Sequence, residues 1–320
     1  MKINFICILT ILFVFQKADV NGLAVTFNAV DRANPRTILW KISKPGLSKP
    51  SYLLGINHIV SADWLYTFPE IKDVIESSEL LVTELFGDND RAIIGNTREM
   101  DIKNRSKVNL RAVDLLTPKQ YATLDSFFIA KVGEGITNNQ EALEMNVAEM
   151  SSAILMTLLT DKNNPNEKPC MDRELFKIFK DKQMNTLALD HIENFEFDDT
   201  NKERGREILS SFVELSKGGN DPGWNISDTT YTVGKFLHDY KMMNLDYKLT
   251  KTDPEKESFL NSHTVRERND RWMPLIESSI SQKSALIAVG AAHLWYNTGV
   301  IALLRSKGYT VEPVLLRKFQ

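Results

Sequence analysis

Apolar residues fall in short β-type runs at both ends of this chain and at helical spacing through its middle. Near the start, Ile38 to Ile42, Tyr52 to Ile56 and Leu80 to Leu85 are strand-like, each bounded by Gly, Pro or polar residues. Pro69 to Ser77, between the last two, reads as a helix. Thr117-Pro118 supplies a cap and first-turn pair for a helix reaching about Lys131, and Glu141 to Leu159 carries apolar residues at helical spacing. Asp161 to Pro169 is a polar loop, Asp172 to Lys182 has a helical pattern, and Thr186 to Leu189 reads as a buried strand ending at Asp190. Asn201 to Lys217 and Thr230 to Met243 predict further helices, with the loop Gly218-Gly219-Asn220-Asp221-Pro222-Gly223 between them. From Val265 onward, Trp272, Leu275, Ile276 and Ile280 mark one helix face. A strand (Ala285 to Val289), a helix (Thr298 to Lys307, stopped by Gly308) and a strand (Thr310 to Leu315) close the chain.

A strand, helix, strand ending predicts the right-handed crossover unit of a parallel sheet. The expected fold is therefore α/β: a central mixed or parallel sheet formed by the two chain ends, with a helix-rich middle insertion. Residues 1–22 stand apart. Met1-Lys2 is a positive start, Ile3 to Phe15 is an almost unbroken apolar run too short to span a bilayer comfortably, and Val20-Asn21-Gly22 offers small residues for cleavage. This predicts a removed secretory signal peptide, with 23–320 as a single domain because no Gly/Ser/Pro-rich linker divides it. No later run of about 18 apolar residues follows. The expectation is a secreted protein without a stable membrane anchor, extracellular or, in a bacterium, periplasmic.

Charge removes one class of partner. The 39 basic and 42 acidic residues leave a net charge of -3 with no long block of one sign, so nothing is built to neutralise a phosphate backbone and no nucleic-acid partner is expected. Of the two cysteines, Cys7 leaves with the signal and Cys170 remains alone, which excludes an internal disulfide in the mature chain. Asn104-Arg105-Ser106 and Asn225-Ile226-Ser227 are sequons that a eukaryotic host would glycosylate.

Histidine is scarce, with five in the chain, yet two share one context: Leu53-Leu54-Gly55-Ile56-Asn57-His58 and Ala288-Val289-Gly290-Ala291-Ala292-His293. Each is an apolar strand, a Gly, two residues and a His. Glycine lets the backbone turn or approach closely at the carboxyl end of a strand, where open sheets place their sites, so both imidazoles can point into one crevice. The alternative is that each caps its strand and bonds a loop carbonyl. Glu84 shares a strand face with Leu80 and Val82, where an unpaired carboxylate is costly, unless the strand is a solvated edge. His191 beside Asp190 reads as a loop residue or a supporting one. His238 and His263 read as surface or packing residues, and Phe127, Phe128 and Trp272 as core.

The Gly-x-x-His near the start, a Glu ending the next strand, and Arg266-Glu267-Arg268-Asn269-Asp270-Arg271-Trp272-Met273 before Ala288-Val289-Gly290-Ala291-Ala292-His293-Leu294 resemble the TraB/GumN family, which includes the TIKI metalloproteases. The continuation Lys307-Gly308-Tyr309-Thr310-Val311-Glu312-Pro313-Val314 is similar to that family's ending. The resemblance spans the mature chain and is specific near its two ends. It implies an α/β fold whose two Gly-x-x-His elements meet and, for the TIKI branch, divalent-metal-dependent peptide cleavage outside the cell. It places catalytic roles on His58, Glu84, Arg268 and His293, with Gly55, Asp190, Asn269 and Gly290 as supporting or substrate-facing residues. Two positions depart from the pattern: Leu189-Asp190 stands where the family commonly has Leu-Glu, and Gly55-Ile56 where it more often has Gly-Thr.

Two His and one Glu form a ligand set suited to Zn, Mn or Co with positions left open for water. The helical His-Glu-x-x-His pattern is absent, so His58, Glu84 and His293 have to be assembled from distant segments. Arg268 either grips a carboxylate or lies with Arg266 and Arg271 on a solvated helix face. The reading is an exported metal-dependent hydrolase that cleaves a peptide bond in a peptide or protein substrate through a metal-activated water, with Glu84 as proton acceptor if it is not a ligand. The alternatives are a metal-independent ester or amide hydrolase with His as general base, and a non-catalytic secreted peptide binder. In the metal reading, Glu84 ends a strand neighbouring the first motif, and ion occupancy weakens below about pH 6.5 as the imidazoles protonate.

Overall fold

All six positions of the strand Ala285–Gly290 (β5) are buried. A continuous apolar run of this kind belongs to a strand covered on both faces. The computed structural model describes residues 35–58, 60–89, 110–159, 171–190, 197–217, 233–252 and 264–317. In it, β5 lies inside a six-stranded sheet with β1 (Leu39–Ser43), β2 (Ser51–Ile56), β3 (Leu80–Thr83), β4 (Asn185–Ala188) and β6 (Thr310–Pro313), in the order β4-β3-β5-β2-β1-β6. Strands β4, β3, β5 and β2 run parallel, whereas β1 is antiparallel to both β2 and β6. The sheet is mixed and draws strands from both chain ends, with β4 added at one edge from the middle.

Two topological expectations change. β3 does not adjoin β2, because β5 enters between them: Ile287 is opposite Leu53 on one side and Val82 on the other. The closing strand, helix, strand unit does return a strand parallel to β5, but β6 is not its neighbour. Both edges of β5 are already taken, so the chain passes β2 and β1 and pairs with β1, with Lys41 opposite Glu312.

The helices are α1 (Pro69–Ser77), α2 (Pro118–Val132), α3 (Gln140–Leu143), α4 (Val147–Leu159), α5 (Met171–Asp181), α6 (Lys202–Ser216), α7 (Val233–Lys241), α8 (Val265–Gln282) and α9 (Val300–Ser306). Thr117 and Gln120 form a capping box at the start of α2, which ends at Gly133 with φ 85°. Thr264 and Glu267 do the same for α8. The single helix expected over Glu141 to Leu159 is two. Asn146 Oδ1 accepts the Glu149 N–H at 2.9 Å and Glu149 Oε2 accepts the Asn146 N–H at 2.8 Å, which starts α4 afresh. Helices α2, α4 and α6 pack on one another as the helix-rich middle, with Leu124, Ile154, Leu209 and Val213 in their shared core.

Among the described residues, no helix is long and apolar enough to cross a membrane. Residues 1–22, Cys170, His191, His263, both sequons and the loops 161–169 and 218–223 lie outside the described residues.

Candidate functional site

Four parallel strands bring their carboxyl ends to one edge of the sheet. His58 follows β2, Glu84 follows β3, Asp190 follows β4, and β5 ends at Gly290 before a 3-10 turn (Ala291–Leu294) that carries His293. Helix α8 adds Arg268, Asn269 and Trp272, and α5 adds Asp172. Every one of these side chains is buried. Glu84 and Asp190 lie side by side because the β3–β4 ladder runs on past the strands: Leu189 N–H donates to Thr83 O at 2.9 Å and Asp190 N–H to Glu84 O at 2.8 Å.

Glu84 is the hub. Its Oε1 accepts the Gly290 N–H at 2.6 Å and stands 3.6 Å from His58 Nε2. Its Oε2 accepts from an Arg268 Nη at 2.5 Å and stands 3.6 Å from His293 Nε2. Both imidazoles thus face one carboxylate. A Cβ on Gly290 would lie 3.1 Å from Glu84 Oε1 and 3.2 Å from His58 Nε2, so glycine leaves space where the three groups converge. Gly55 serves differently. A Cβ there would meet Leu294 Cδ2 at 3.1 Å and the Ala291 Cα at 3.4 Å, so its bareness lets β2 lie against the turn that carries His293.

The proton on His293 is fixed by Asn269. The Asn269 amide nitrogen donates to His293 O at 3.2 Å and Thr298 O at 3.0 Å, which turns its oxygen to His293 Nδ1 at 2.7 Å. That oxygen only accepts, so Nδ1 carries the hydrogen and Nε2 keeps a bare lone pair. His293 Nε2 has no hydrogen-bond partner among the described residues. The Trp272 ring lies against the imidazole with centroids 4.2 Å apart. Burial, with Arg268 and His58 nearby, lowers His293 to about 3 against the pull of Glu84, so it is neutral at physiological pH.

His58 differs. Its Nδ1 is 3.3 Å from Asp172 Oδ1. Burial opposes its charge, but Asp172 and Glu84 outweigh that and raise it to about 9. Burial likewise opposes ionisation of Glu84, yet His293, Arg268 and His58 hold it far below the usual carboxylate range. With His293 neutral, Arg268 and His58 carry that effect near pH 7.

Arg268 is wholly buried, whereas Arg266 and Arg271 are exposed. The solvated-face alternative therefore describes its neighbours and not Arg268. Its Nε donates to Asp190 Oδ2 at 2.9 Å, and one Nη bridges Asp190 and Glu84. Trp272 Nε1 donates to Asp190 Oδ1 at 2.8 Å. Asp190 is raised by burial while Arg268 pulls it back. Although one methylene shorter than Glu, it still reaches both partners.

The sequence matches a family model over residues 38–313, from just before β1 to the end of β6, and so takes in every residue of this cluster. The chain belongs to the TraB/PrgY/gumN family. No curated protein and no solved structure matches it significantly.

Within this TraB/PrgY/gumN chain, the fold brings together all eight residues singled out from the sequence: His58, Glu84, Arg268 and His293, with Gly55, Asp190, Asn269 and Gly290. His238 is exposed, as a surface residue should be. Trp272, read as core, is buried but also holds Asp190 and backs His293. Asp172 was missed as a site residue. It sits on the apolar face of α5 with Met171, Leu175, Phe176 and Phe179, and a carboxylate in that stripe was the available signal.

The donors suit a divalent ion in kind and direction. Nitrogen and oxygen atoms sharing one ion through bonds of about 2.0–2.2 Å stand roughly 3.3–3.6 Å apart in a tetrahedral site and about 3 Å apart in an octahedral one. The two imidazole-to-carboxylate separations here are 3.6 Å. Among the described residues, no three His, Cys, Asp or Glu side chains are closed around one point for ligation. Glu84 is instead drawn onto Arg268 and Gly290.

Proposed function

We propose that this chain is an exported metal-dependent hydrolase that cleaves a peptide bond, with His58, Glu84 and His293 holding a Mn, Co or Zn ion. The observation that carries this reading is the lone pair of buried His293 Nε2 turned toward an ionised carboxylate oxygen 3.6 Å away. Two electron-rich atoms so placed call for an electrophile between them, and the missing Cβ of Gly290 leaves space beside the other pair, Glu84 Oε1 and His58 Nε2. A bound ion would supply an acidified water and a polarised carbonyl. The protein supplies the rest. Asn269 fixes the tautomer of His293, Gly290 N–H and Arg268 keep Glu84 ionised and oriented, and Asp190 with Trp272 holds Arg268.

The same geometry weighs against a metal-free general base. His58, raised to about 9, is already protonated at neutral pH, and His293, lowered to about 3, is a weak base. Glu84, held far below the usual range, is a poor proton acceptor, which favours the ligand role over the base role for it.

Export rests on the positive start and the apolar run Ile3 to Phe15, and a peptide or protein substrate rests on the family resemblance; nothing in the charge pattern favours nucleic acid. Amino-terminal sequencing of protein recovered from medium should begin near residue 23; Met1 retained in a membrane fraction would refute export. Metal analysis of the purified mature protein, with peptide cleavage assayed before and after chelation, tests the chemistry. The expected result is roughly one divalent ion per chain and cleavage lost on chelation and in His58→Ala or His293→Ala. Stoichiometric peptide capture without cleavage, surviving chelation and His58→Ala, would replace the hydrolase with a binder.

A further inference from the structure

We propose that Asp172 is a positioning residue that fixes the His58 ring through Nδ1 and so presents Nε2 to Glu84, making the two Gly-x-x-His elements chemically unequal. The inference rests on the metal reading for its consequence at the ion and on geometry for the rest. Asp172 is in the first turn of α5 and is wholly buried, as is most of His58. A buried carboxylate on an apolar helix face is costly unless it meets a donor. One donor in reach is His58 Nδ1, 3.3 Å from Asp172 Oδ1.

The same helical turn grips the backbone that follows. Glu174 Oε2 accepts the Ala62 N–H at 2.6 Å and the Ser61 hydroxyl at 3.2 Å. Helix α5 therefore holds the segment after β2 at two points, one on the imidazole and one on the main chain. A ring whose Nδ1–H is committed to a carboxylate has only Nε2 left to offer, and that atom faces Glu84 at 3.6 Å.

His293 is set by the same logic with a different partner. Its Nδ1 meets the neutral amide of Asn269 at 2.7 Å. A carboxylate behind an imidazole raises its donor strength toward an ion, and a neutral amide does so less. His58 is the stronger donor of the pair, although both sit in the same Gly-x-x-His spacing.

The test compares Asp172→Asn, Asp172→Ala and, as a control on the same helical turn, Glu174→Gln. The first readout is the Nδ1-bound proton of His58 in nitrogen-15-labelled, metal-free mature protein, assigned by its absence in His58→Gln. The second is affinity for Mn and Zn by titration calorimetry, with thermal melts to verify folding. The parent should show a downfield, hydrogen-bonded proton that moves upfield or vanishes in both Asp172 variants and persists in Glu174→Gln. Ion affinity should drop roughly 10–100-fold in the Asp172 variants only. A proton unchanged in Asp172→Asn, or equal losses of affinity in Glu174→Gln, would reduce Asp172 to a structural residue and overturn the proposal. If the parent binds no ion, the metal reading fails, and the proton alone decides whether Asp172 fixes the ring.

Discussion

Gly290 gives its N–H to Glu84 Oε1 at 2.6 Å, and the Cβ it lacks would stand 3.2 Å from His58 Nε2. One residue thus holds the carboxylate and keeps open the space beside it. Its φ is -50°, which alanine adopts freely, so the backbone does not require glycine here. Gly290→Ala should keep the fold, cost about 1–3 kcal/mol from crowding, and lower ion affinity and peptide cleavage by about tenfold or more. Denaturant melts and calorimetry on one preparation check both parts; affinity equal to the parent's would show that the space is not used.

Arg268→Lys tests the fork between Glu84 and Asp190. A lysine presents a point charge and cannot reproduce the planar donors that serve both carboxylates. Disrupting a buried ion network costs about 3–5 kcal/mol, while Arg266→Lys and Arg271→Lys, both exposed, should stay within about 0.5 kcal/mol. Equal stability and equal activity of the three variants would remove the special role of Arg268.

The stability of the metal-free protein should depend on pH through His58 and Glu84. The folded value of His58, about 9, lies above its ordinary 6.5, so its contribution is full below pH 6.5 and is lost as pH rises through 9. Its size is on the order of 3 kcal/mol. Glu84 is depressed below its ordinary 4.5, so its contribution is present above that pH and is lost as the solution is acidified. Urea melts from pH 5 to 9.5 should show an alkaline decline that His58→Gln flattens; an unflattened decline in that variant would assign it to another group.

Uptake of an ion at neutral pH should expel a proton. His58 Nε2 cannot bind while protonated, and Asp172 and Glu84 move that protonation from 6.5 up to about 9. Affinity should therefore climb about tenfold per pH unit from 7 toward 9, higher than the onset near 6.5 expected from an ordinary imidazole. Calorimetry in buffers of different ionisation heat counts the proton directly, and a count of zero would mean that His58 is not a ligand.

Much of this organisation was legible in the residues themselves. Pro69 and Ser77 bound α1 as their pattern predicts, and Thr117-Pro118 opens α2. The two Gly-x-x-His elements signalled themselves by repeating one local design. Strand order was not legible, since the apolar runs of β2, β3 and β5 match one another equally well and only tertiary packing chooses which is central. The break between α3 and α4 carried a signal that helical periodicity hid, namely Asn146 three residues before Glu149. Asp172 escaped because its partner lies 114 positions earlier, at His58, and no local pattern pairs a helix residue with a distant strand end.

The central place of β5 sets an order of events during synthesis. β2 and β3 are made early, but neither touches the other in the sheet, and the strand that joins them spans Ala285–Gly290. Until that segment is available, β2 and β3 are not joined in the sheet, although α5 lies against the ends of both, and Glu84 lacks the Gly290 N–H. A nascent chain would have His58 and Asp172 in hand by mid-length, but His293 only near its end. The cluster is complete only when nearly the whole polypeptide is present, so under the proposed function an incomplete chain ending before Gly290 should neither bind an ion nor cleave peptide.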